Sequence, residues 1–274
     1  MTKIKLVAID VDGTLLDSKR RLTLNVEKTI KKALSKGIKI VLCTGRPAAG
    51  TRHIQKRLGL DDRDDQYIVS FGGSQVVTTN GKILAETPLT YQQYSSLEML
   101  ARQKDLHFHA LSQDRIYTAN RDIGRYTVNE SLLDDLPISY RTPEEMKSIK
   151  IMKAMFIDEP DVLDQAMEDK KPFDALKSDL VFAKSAPYYL EVNAKEVNKG
   201  VALEQLCQIL QLTPQNVAAI GDQENDLSMI RFSGYGVAMG NAIPEVKAQA
   251  NVVTDDNDHD GVATILEKIL AESL

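Results

Sequence analysis

The chain has 274 residues, 43% of them hydrophobic, and a formal net charge of −5. That length supports one large domain or two moderate ones, and the charge excludes a broad basic surface for nucleic acid. Two cysteines cannot make a disulfide framework, and no apolar run approaches the roughly 20 residues of a membrane span.

The first predicted element is Leu6 to Ile9, an apolar run of the kind buried on both faces in a parallel sheet. It ends in Asp10-Val11-Asp12-Gly13-Thr14, two carboxylates followed by a residue that lets the backbone turn away. A helix follows from Leu24 to Ser35, closed by Gly37. Residues 38–43 read as a second strand ending in Thr44-Gly45-Arg46-Pro47, Arg52 to Leu58 as a helix, and Tyr67 to Phe71 as a third strand. Val76 to Leu84 reads as a hairpin on Asn80-Gly81. This succession predicts a doubly wound, mostly parallel α/β sheet.

The texture changes near residue 86. An amphipathic helix (91–104) and short half-polar strands at 107–111, 116–119, 151–157 and 180–183 alternate with helices at 123–133 and 162–167. This block predicts an inserted α/β domain over 86–188, splitting the sheet domain into 1–85 and 189–274. The parallel pattern is expected to resume at Leu190-Glu191-Val192. A helix at 201–210, strands at 217–220 and 236–239, a short helix at 227–232, a last strand at 252–253 and a closing helix at 262–270 complete it. Cys43 and Cys207 fall in apolar runs and read as small buried hydrophobes. With no basic, apolar and cleavable leader at the first residues, a cytoplasmic setting is expected.

Four polar clusters sit at strand ends or a helix start of the split domain: Asp10/Asp12, Thr44-Gly45-Arg46, Asn198-Lys199-Gly200, and Gly221-Asp222 with Asn225-Asp226. Each alone fits an ordinary turn or solvated helix end. In a doubly wound sheet, however, strand ends converge on one crevice. Carboxylates gathered there repel one another and raise their own pKa values, a cost that a hard cation such as Mg²⁺ removes. Metal, lysine, hydroxyl and free N–H groups together suit a phosphoryl group. One carboxylate would attack phosphorus, and the other would protonate the leaving alcohol and then activate water.

These residues resemble the four motifs of the haloacid dehalogenase-like hydrolases: Asp10-Val11-Asp12-Gly13-Thr14-Leu15-Leu16, then Thr44, Lys199, and Gly221-Asp222 with Asn225-Asp226. An insertion between the second and third motifs is similar to the Cof-type (type IIB) subgroup, whose α/β cap covers the crevice. Inserted segments such as 107–111, 117–123, 157–160 and 184–187 resemble the bacterial sugar phosphatases of that group.

The resemblance implies Asp10 as nucleophile and Mg²⁺ ligand. It implies Asp12 as general acid/base, lending its backbone carbonyl to the metal, and Asp222 as third ligand. Val11 (through its N–H), Thr44, Gly45, Lys199 and Asn225 would hold the phosphate, with Asp226 supporting the metal site. Arg46 is a crevice residue without an assigned role. The implied function is a Mg²⁺-dependent phosphatase of small phosphorylated sugars, without nucleic-acid or membrane partners and with a homodimer as one assembly. A sugar phosphomutase and a phosphosugar-binding protein without turnover are the alternatives. Phosphoryl pumps on this core lack an acid two residues after the nucleophile.

One departure stands out. Gly72-Gly73-Ser74 replaces the Asn-Gly-Ala frequent in the subgroup, which removes an amide near the substrate. In the insertion, His107, His109, Tyr117, Asn120, Arg121 and Arg125 are the candidates for reading a polyhydroxylated leaving group, although two histidines at i and i+2 also simply share one strand face. Tyr188 and Tyr189 are expected to pack at the return to the core.

Overall fold

The computed structural model describes residues 3–272. β1 (Leu6–Asp10) is buried at all five positions, as its unbroken apolar run requires. It is followed by α1 (Leu24–Ser35), β2 (Lys39–Cys43), α2 (Arg52–Leu58), β3 (Tyr67–Ser70), β4 (Gln75–Thr78) and β5 (Ile83–Glu86). The chain then leaves this unit and returns to it at Asn198, after the inserted elements described below. Contacts divide the molecule into two compact units, residues 3–86 with 198–272, and 87–197.

In the split unit, α7 (Lys199–Ile209), β12 (Val217–Gly221), α8 (Leu227–Phe232), β13 (Tyr235–Ala238), α9 (Pro244–Gln249), β14 (Val252–Val253) and α10 (Gly261–Glu272) complete an eight-stranded sheet. Its order is β14-β13-β12-β1-β2-β3-β4-β5. The six strands from β14 to β3 are parallel, and β4 and β5 continue antiparallel. Because side chains alternate along β1, Val7 and Ile9 enter one apolar layer with α1, α2 and α10, while Leu6 and Ala8 enter another with α7 and Met229 of α8. The sheet is therefore covered on both faces, as a doubly wound fold requires. Both cysteines are free and buried. Asn80-Gly81 does turn a hairpin, with Gly81 N–H donating to Thr78 C=O and Thr78 N–H to Lys82 C=O.

The inserted unit holds α3 (Tyr91–Gln103), β6 (Phe108–Leu111), β7 (Ile116–Thr118), α4 (Arg125–Asp134), β8 (Ile138–Tyr140), β9 (Lys153–Ile157), α5 (Pro160–Glu168), α6 (Lys171–Asp174), β10 (Leu180–Ala186) and β11 (Tyr189–Ala194). Its sheet runs β10-β11-β9-β6-β7-β8. One face is apolar: Phe108, Ala110, Ala154, Phe156, Leu190 and Val192 pack with α3 and α5.

The opposite face mixes apolar Leu111, Ile116 and Met155 with buried polar groups. There Lys153 is buried, its Nζ 3.3 Å from Glu191 and 4.0 Å from Glu130 of α4. His109, with no exposed surface, bonds Thr127 of α4 through Nδ1 at 3.1 Å. Helix α4 thus turns Thr127, Glu130 and Asp134 inward and leaves Val128 and Leu132 exposed.

Two expectations need correction. Leu190-Glu191-Val192 does not resume the parallel sheet. It belongs to β11, which pairs antiparallel with β10 and β9. Its alternation is the signature of an antiparallel strand with two unlike faces: Leu190 and Val192 enter the apolar core of the inserted unit, and Glu191 faces Lys153. The second boundary accordingly falls after Val197 and not after residue 188. For the same reason Tyr188 and Tyr189 sit inside the inserted unit, where Tyr188 stacks on Tyr126 with ring centroids 4.4 Å apart.

Candidate active site

The parallel register brings the core clusters together. Asp10 is the last residue of β1 and stands beside Cys43 of β2, while Ile9 stands beside Ile220 of β12. Asp10, Thr44 and Gly221-Asp222 therefore leave the sheet at the same end, where ligands of open α/β sheets bind. The turn beyond β1 is tight: Leu15 and Leu16 N–H groups donate to Asp10 and Val11 C=O. Gly13 is required there, since a Cβ on it would lie 2.6 Å from Asp222 Oδ2.

Lys199 opens α7, capped by Asn198, whose Oδ1 accepts from Val201 N–H at 2.9 Å. Its ammonium, 1% exposed, donates to Asp10 Oδ1 and to Asp226 Oδ1, both at 2.6 Å. The other Asp226 oxygen accepts from the backbone N–H groups of Asp222 (2.9 Å) and Gln223 (3.1 Å). Asp226 therefore fixes the turn after β12 and aims Lys199. Asp222 is held by Thr14 Oγ1 at 2.8 Å and by Gln223 Nε2 at 3.2 Å.

Asp10, Asp222 and Asp226 offer carboxylate oxygens within 4.8 Å of one another, all buried. Burial, with Asp226 and Asp222 close by, drives the Asp10 carboxyl well above the usual carboxylate range, against the pull of Lys199. Burial also raises Asp222, against the hydrogen bond from Thr14. Burial alone would lower Lys199, but Asp10 and Asp226 more than offset it and keep the ammonium charged.

With all three acids ionised, three carboxylates against one ammonium would leave two negative charges, which a divalent cation would compensate. The all-oxygen donor set suits Mg²⁺. Among the described residues nothing donates to Asp10 Oδ2, so that oxygen is available. Asp226 already accepts three hydrogen bonds and is better placed to orient the site than to ligate directly.

The remaining motif residues divide into three groups. Thr44 is buried, its Oγ1 accepting from Arg46 N–H at 3.1 Å, with Gly45 between them. Asp12 is not in the acidic trio. Its carboxylate is gripped in bidentate fashion by Arg46, Nε to Oδ2 at 2.8 Å and Nη2 to Oδ1 at 2.5 Å, which gives Arg46 a partner that the sequence alone did not supply. Asn225 is exposed on the 224–226 turn. The 71–74 turn buttresses the second cluster, with Phe71 N–H on Arg46 C=O and Gly72 N–H on Thr44 C=O. A Cβ on Gly73 would collide with the Asn198 carbonyl, so this turn also abuts the start of α7.

Two contributions escaped the sequence reading. Thr14 and Gln223 both hold Asp222. Thr14 lay in plain view inside the first motif, but nothing in the sequence pointed its hydroxyl at a residue 208 positions away.

In the inserted unit, several candidates prove to be occupied locally. Asn120 Oδ1 accepts from Phe108 N–H and Thr118 Oγ1, His109 is buried against Thr127, and His107 Nδ1 lies 2.9 Å from Asp158. Arg125 pairs with Glu159 at 2.5 Å and lies over the Tyr126 ring. Tyr117 packs against the unit's core, and Arg121 is exposed.

Comparison with known proteins agrees with this geometry. A family model described as haloacid dehalogenase-like hydrolase matches residues 7–266. A Streptococcus pyogenes protein provisionally named a phosphatase is 42% identical over 265 residues, 97% of this chain and 98% of its own. The Bacillus subtilis protein YcsE, named a 5-amino-6-(5-phospho-D-ribitylamino)uracil phosphatase, is 31% identical over 95% of this chain and 93% of its own. The crystal structure of a haloacid dehalogenase-like hydrolase from Bacteroides thetaiotaomicron superposes with a TM-score of 0.87 at 30% identity, covering 97% of this chain and all of that one. With its motifs at the strand ends of a split α/β core, the chain belongs to the haloacid dehalogenase-like hydrolases, in their Cof-type branch.

Proposed function

We propose that the protein is a Mg²⁺-dependent phosphatase of small sugar phosphates that works through an aspartyl phosphate on Asp10. The observation that carries this reading is the state of Asp10: a buried carboxylate with Oδ1 held by Lys199, Oδ2 without a donor, and Asp222 beside it.

Asp10 and Asp222, with the Asp12 backbone carbonyl, would hold Mg²⁺, which when bound neutralises the acidic pocket and the charge on the transferring phosphoryl group. Asp10 Oδ2 attacks phosphorus while the ester P–O bond breaks, and Asp12 gives its proton to the leaving alkoxide. Asp12 then takes a proton from water as that oxygen attacks the aspartyl phosphate, which releases phosphate and restores Asp10. Lys199, Thr44, Gly45, Asn225 and the Val11 N–H cradle the phosphoryl oxygens. Arg46 orients Asp12 as the ionised base that takes a proton from water; in the acid step the protonated oxygen turns from Arg46 toward the leaving group, which the 45% exposure of Asp12 permits.

The sugar-phosphate assignment rests on the likeness of the inserted segments to the Cof group. It also rests on the YcsE name, which specifies a phosphate ester on a polyhydroxylated ribityl chain.

The test is phosphate release from a panel of sugar phosphates with and without Mg²⁺, for the wild type and Asp10→Asn. Release that needs Mg²⁺ and is abolished by Asp10→Asn is expected. No release from any member of the panel, or release that Asp10→Asn leaves intact, would refute the proposal.

A further inference from the structure

The two segments that carry the proposed metal ligands, Asp10–Thr14 and Gly221–Asp222, come from opposite ends of the chain, and a third segment grips both. Beyond β13, Met239 N–H donates to Gly221 C=O at 3.0 Å and Ile243 N–H donates to Asp222 C=O at 3.0 Å. Between them, the Asn241 side chain reaches the other segment: its Nδ2 donates to Gly13 C=O at 2.8 Å.

The Asn241 amide is itself fixed. Its Oδ1 accepts from Asn257 N–H at 3.1 Å, and the Asn257 side chain in turn donates to Leu16 C=O at 2.9 Å. Gly240 N–H on Asp255 C=O, at 3.0 Å, ties the same two loops by backbone alone. The turn after β1 is thereby held at two carbonyls, Gly13 and Leu16, by two asparagines that also hold each other.

We infer that Asn241, fixed by Asn257, is a positioning residue for the metal site. It locks the turn carrying Asp12 and Thr14 to the segment that holds Asp222, and so sets the spacing of the Mg²⁺ ligands. This rests on the metal-site reading of Asp10, Asp12 and Asp222.

The physical reason is the geometry of a small hard cation. Mg²⁺ demands near-octahedral oxygen ligands at fixed short distances, so a turn free to drift by a few tenths of an ångström loses affinity. The bond to Gly13 C=O fixes the peptide that joins Gly13 to Thr14. One residue earlier lies the Asp12 carbonyl, and on Thr14 itself is the hydroxyl that holds Asp222. Groups outside the direct ligands that orient them commonly contribute ten-fold or more to metal affinity. Neither asparagine is hydrogen-bonded to the acidic trio, and the Asp12 side chain is held separately by Arg46, so their loss should act through metal binding and not through the phosphoryl step.

The experiment compares full-length wild type, Asn241→Ala, Asn257→Ala and the double variant. The first readout is Mg²⁺ affinity without substrate, from the rise in unfolding temperature over a Mg²⁺ titration. The second is the Mg²⁺ concentration giving half-maximal phosphate release.

Asn241→Ala should raise both Mg²⁺ midpoints by about ten-fold and recover wild-type turnover at saturating Mg²⁺, with the substrate KM unchanged. Asn257→Ala should shift the midpoints in the same direction, and the double variant should add nothing to Asn241→Ala, because the two side chains act in series. A Mg²⁺-responsive wild type whose midpoints are unmoved in both single variants would overturn the relay. So would a turnover defect that saturating Mg²⁺ does not repair. A wild type that shows no Mg²⁺ response would overturn the metal-site reading along with it.

Discussion

Lys199→Met is the most informative single change at this site. The ammonium lies 2.6 Å from one oxygen each of Asp10 and Asp226 and is 1% exposed. At an effective dielectric of about 20, each contact at that distance corresponds to roughly 6 kcal/mol of Coulomb attraction. Desolvation of three buried ions takes back most of this. The net cost of removing one member of such a cluster is about 3–5 kcal/mol, because the remaining charges stay buried and unpaired.

Methionine roughly preserves the length and volume of the lysine side chain, so the loss reports charge and not a cavity. The variant should unfold in urea with a stability lower by about 3–5 kcal/mol at neutral pH without Mg²⁺. Added Mg²⁺ should restore more stability to the variant than to the wild type, because the cation then compensates three carboxylates with no lysine to help. Phosphate release should fall by about 10²–10³-fold, as expected for a preorganised charge aimed at the transferring group. A Lys199→Met protein of wild-type stability, or one with turnover within about ten-fold of wild type, would refute the account of Lys199 as the charge that holds Asp10 and Asp226 together.

Two further outcomes follow from the geometry. Arg46→Met removes the bidentate grip on Asp12 and should lower kcat/KM by about ten-fold while changing stability by less than about 1 kcal/mol, because the pair is partly solvated; unchanged kinetics would remove Arg46 from the mechanism. His109 is held neutral, its pKa lowered from 6.5 to about 3 by burial and by Lys153. The unfolded chain therefore binds the proton first, and the stability due to neutral His109, complete above about pH 6.5, is lost as pH falls toward 3. At pH 5 that loss is about 2 kcal/mol, from 1.5 pH units at about 1.4 kcal/mol each. The protection factors of the β6 and α4 amides, corrected for the slower intrinsic exchange at low pH, should fall between pH 7.5 and 5 in the wild type, and less so in His109→Gln; an equal fall would place the pH sensitivity elsewhere.

The core was legible because its signals are local and repeated. β1, β2 and β12 are short, mostly apolar runs that each end in a polar cluster, the register of a parallel sheet puts those ends on one side, and Lys199 opens the helix beside them. Asp10, Lys199 and Asp222 could thus be placed together before any coordinates. The inserted unit was less legible because two of its surfaces reverse the usual pattern. Helix α4 buries Thr127, Glu130 and Asp134 and exposes Leu132, so apolar periodicity says nothing about which face packs. Strand β11 carries Leu-Glu-Val, and the glutamate reads as solvated until Lys153 is found opposite it. The pairing of Arg46 with Asp12, and the hold of Thr14 on Asp222, depend on side chains meeting across 34 and 208 positions, which spacing along the chain does not encode.

The position of β1 between β12 and β2 has a consequence for synthesis. Thr14 and Asp222 are 208 residues apart, so at about 5–20 residues per second the partner strand emerges roughly 10–40 s after β1. Through that interval one whole side of a fully buried core strand has no neighbour, and an open, hydrophobic edge is a template for wrong pairing. The inserted unit, whose own sheet is complete by residue 194, can finish first. Nascent chains halted between about residue 195 and residue 216 would carry a folded insertion beside an unsealed core, and these are the lengths at which a chaperone has most to protect.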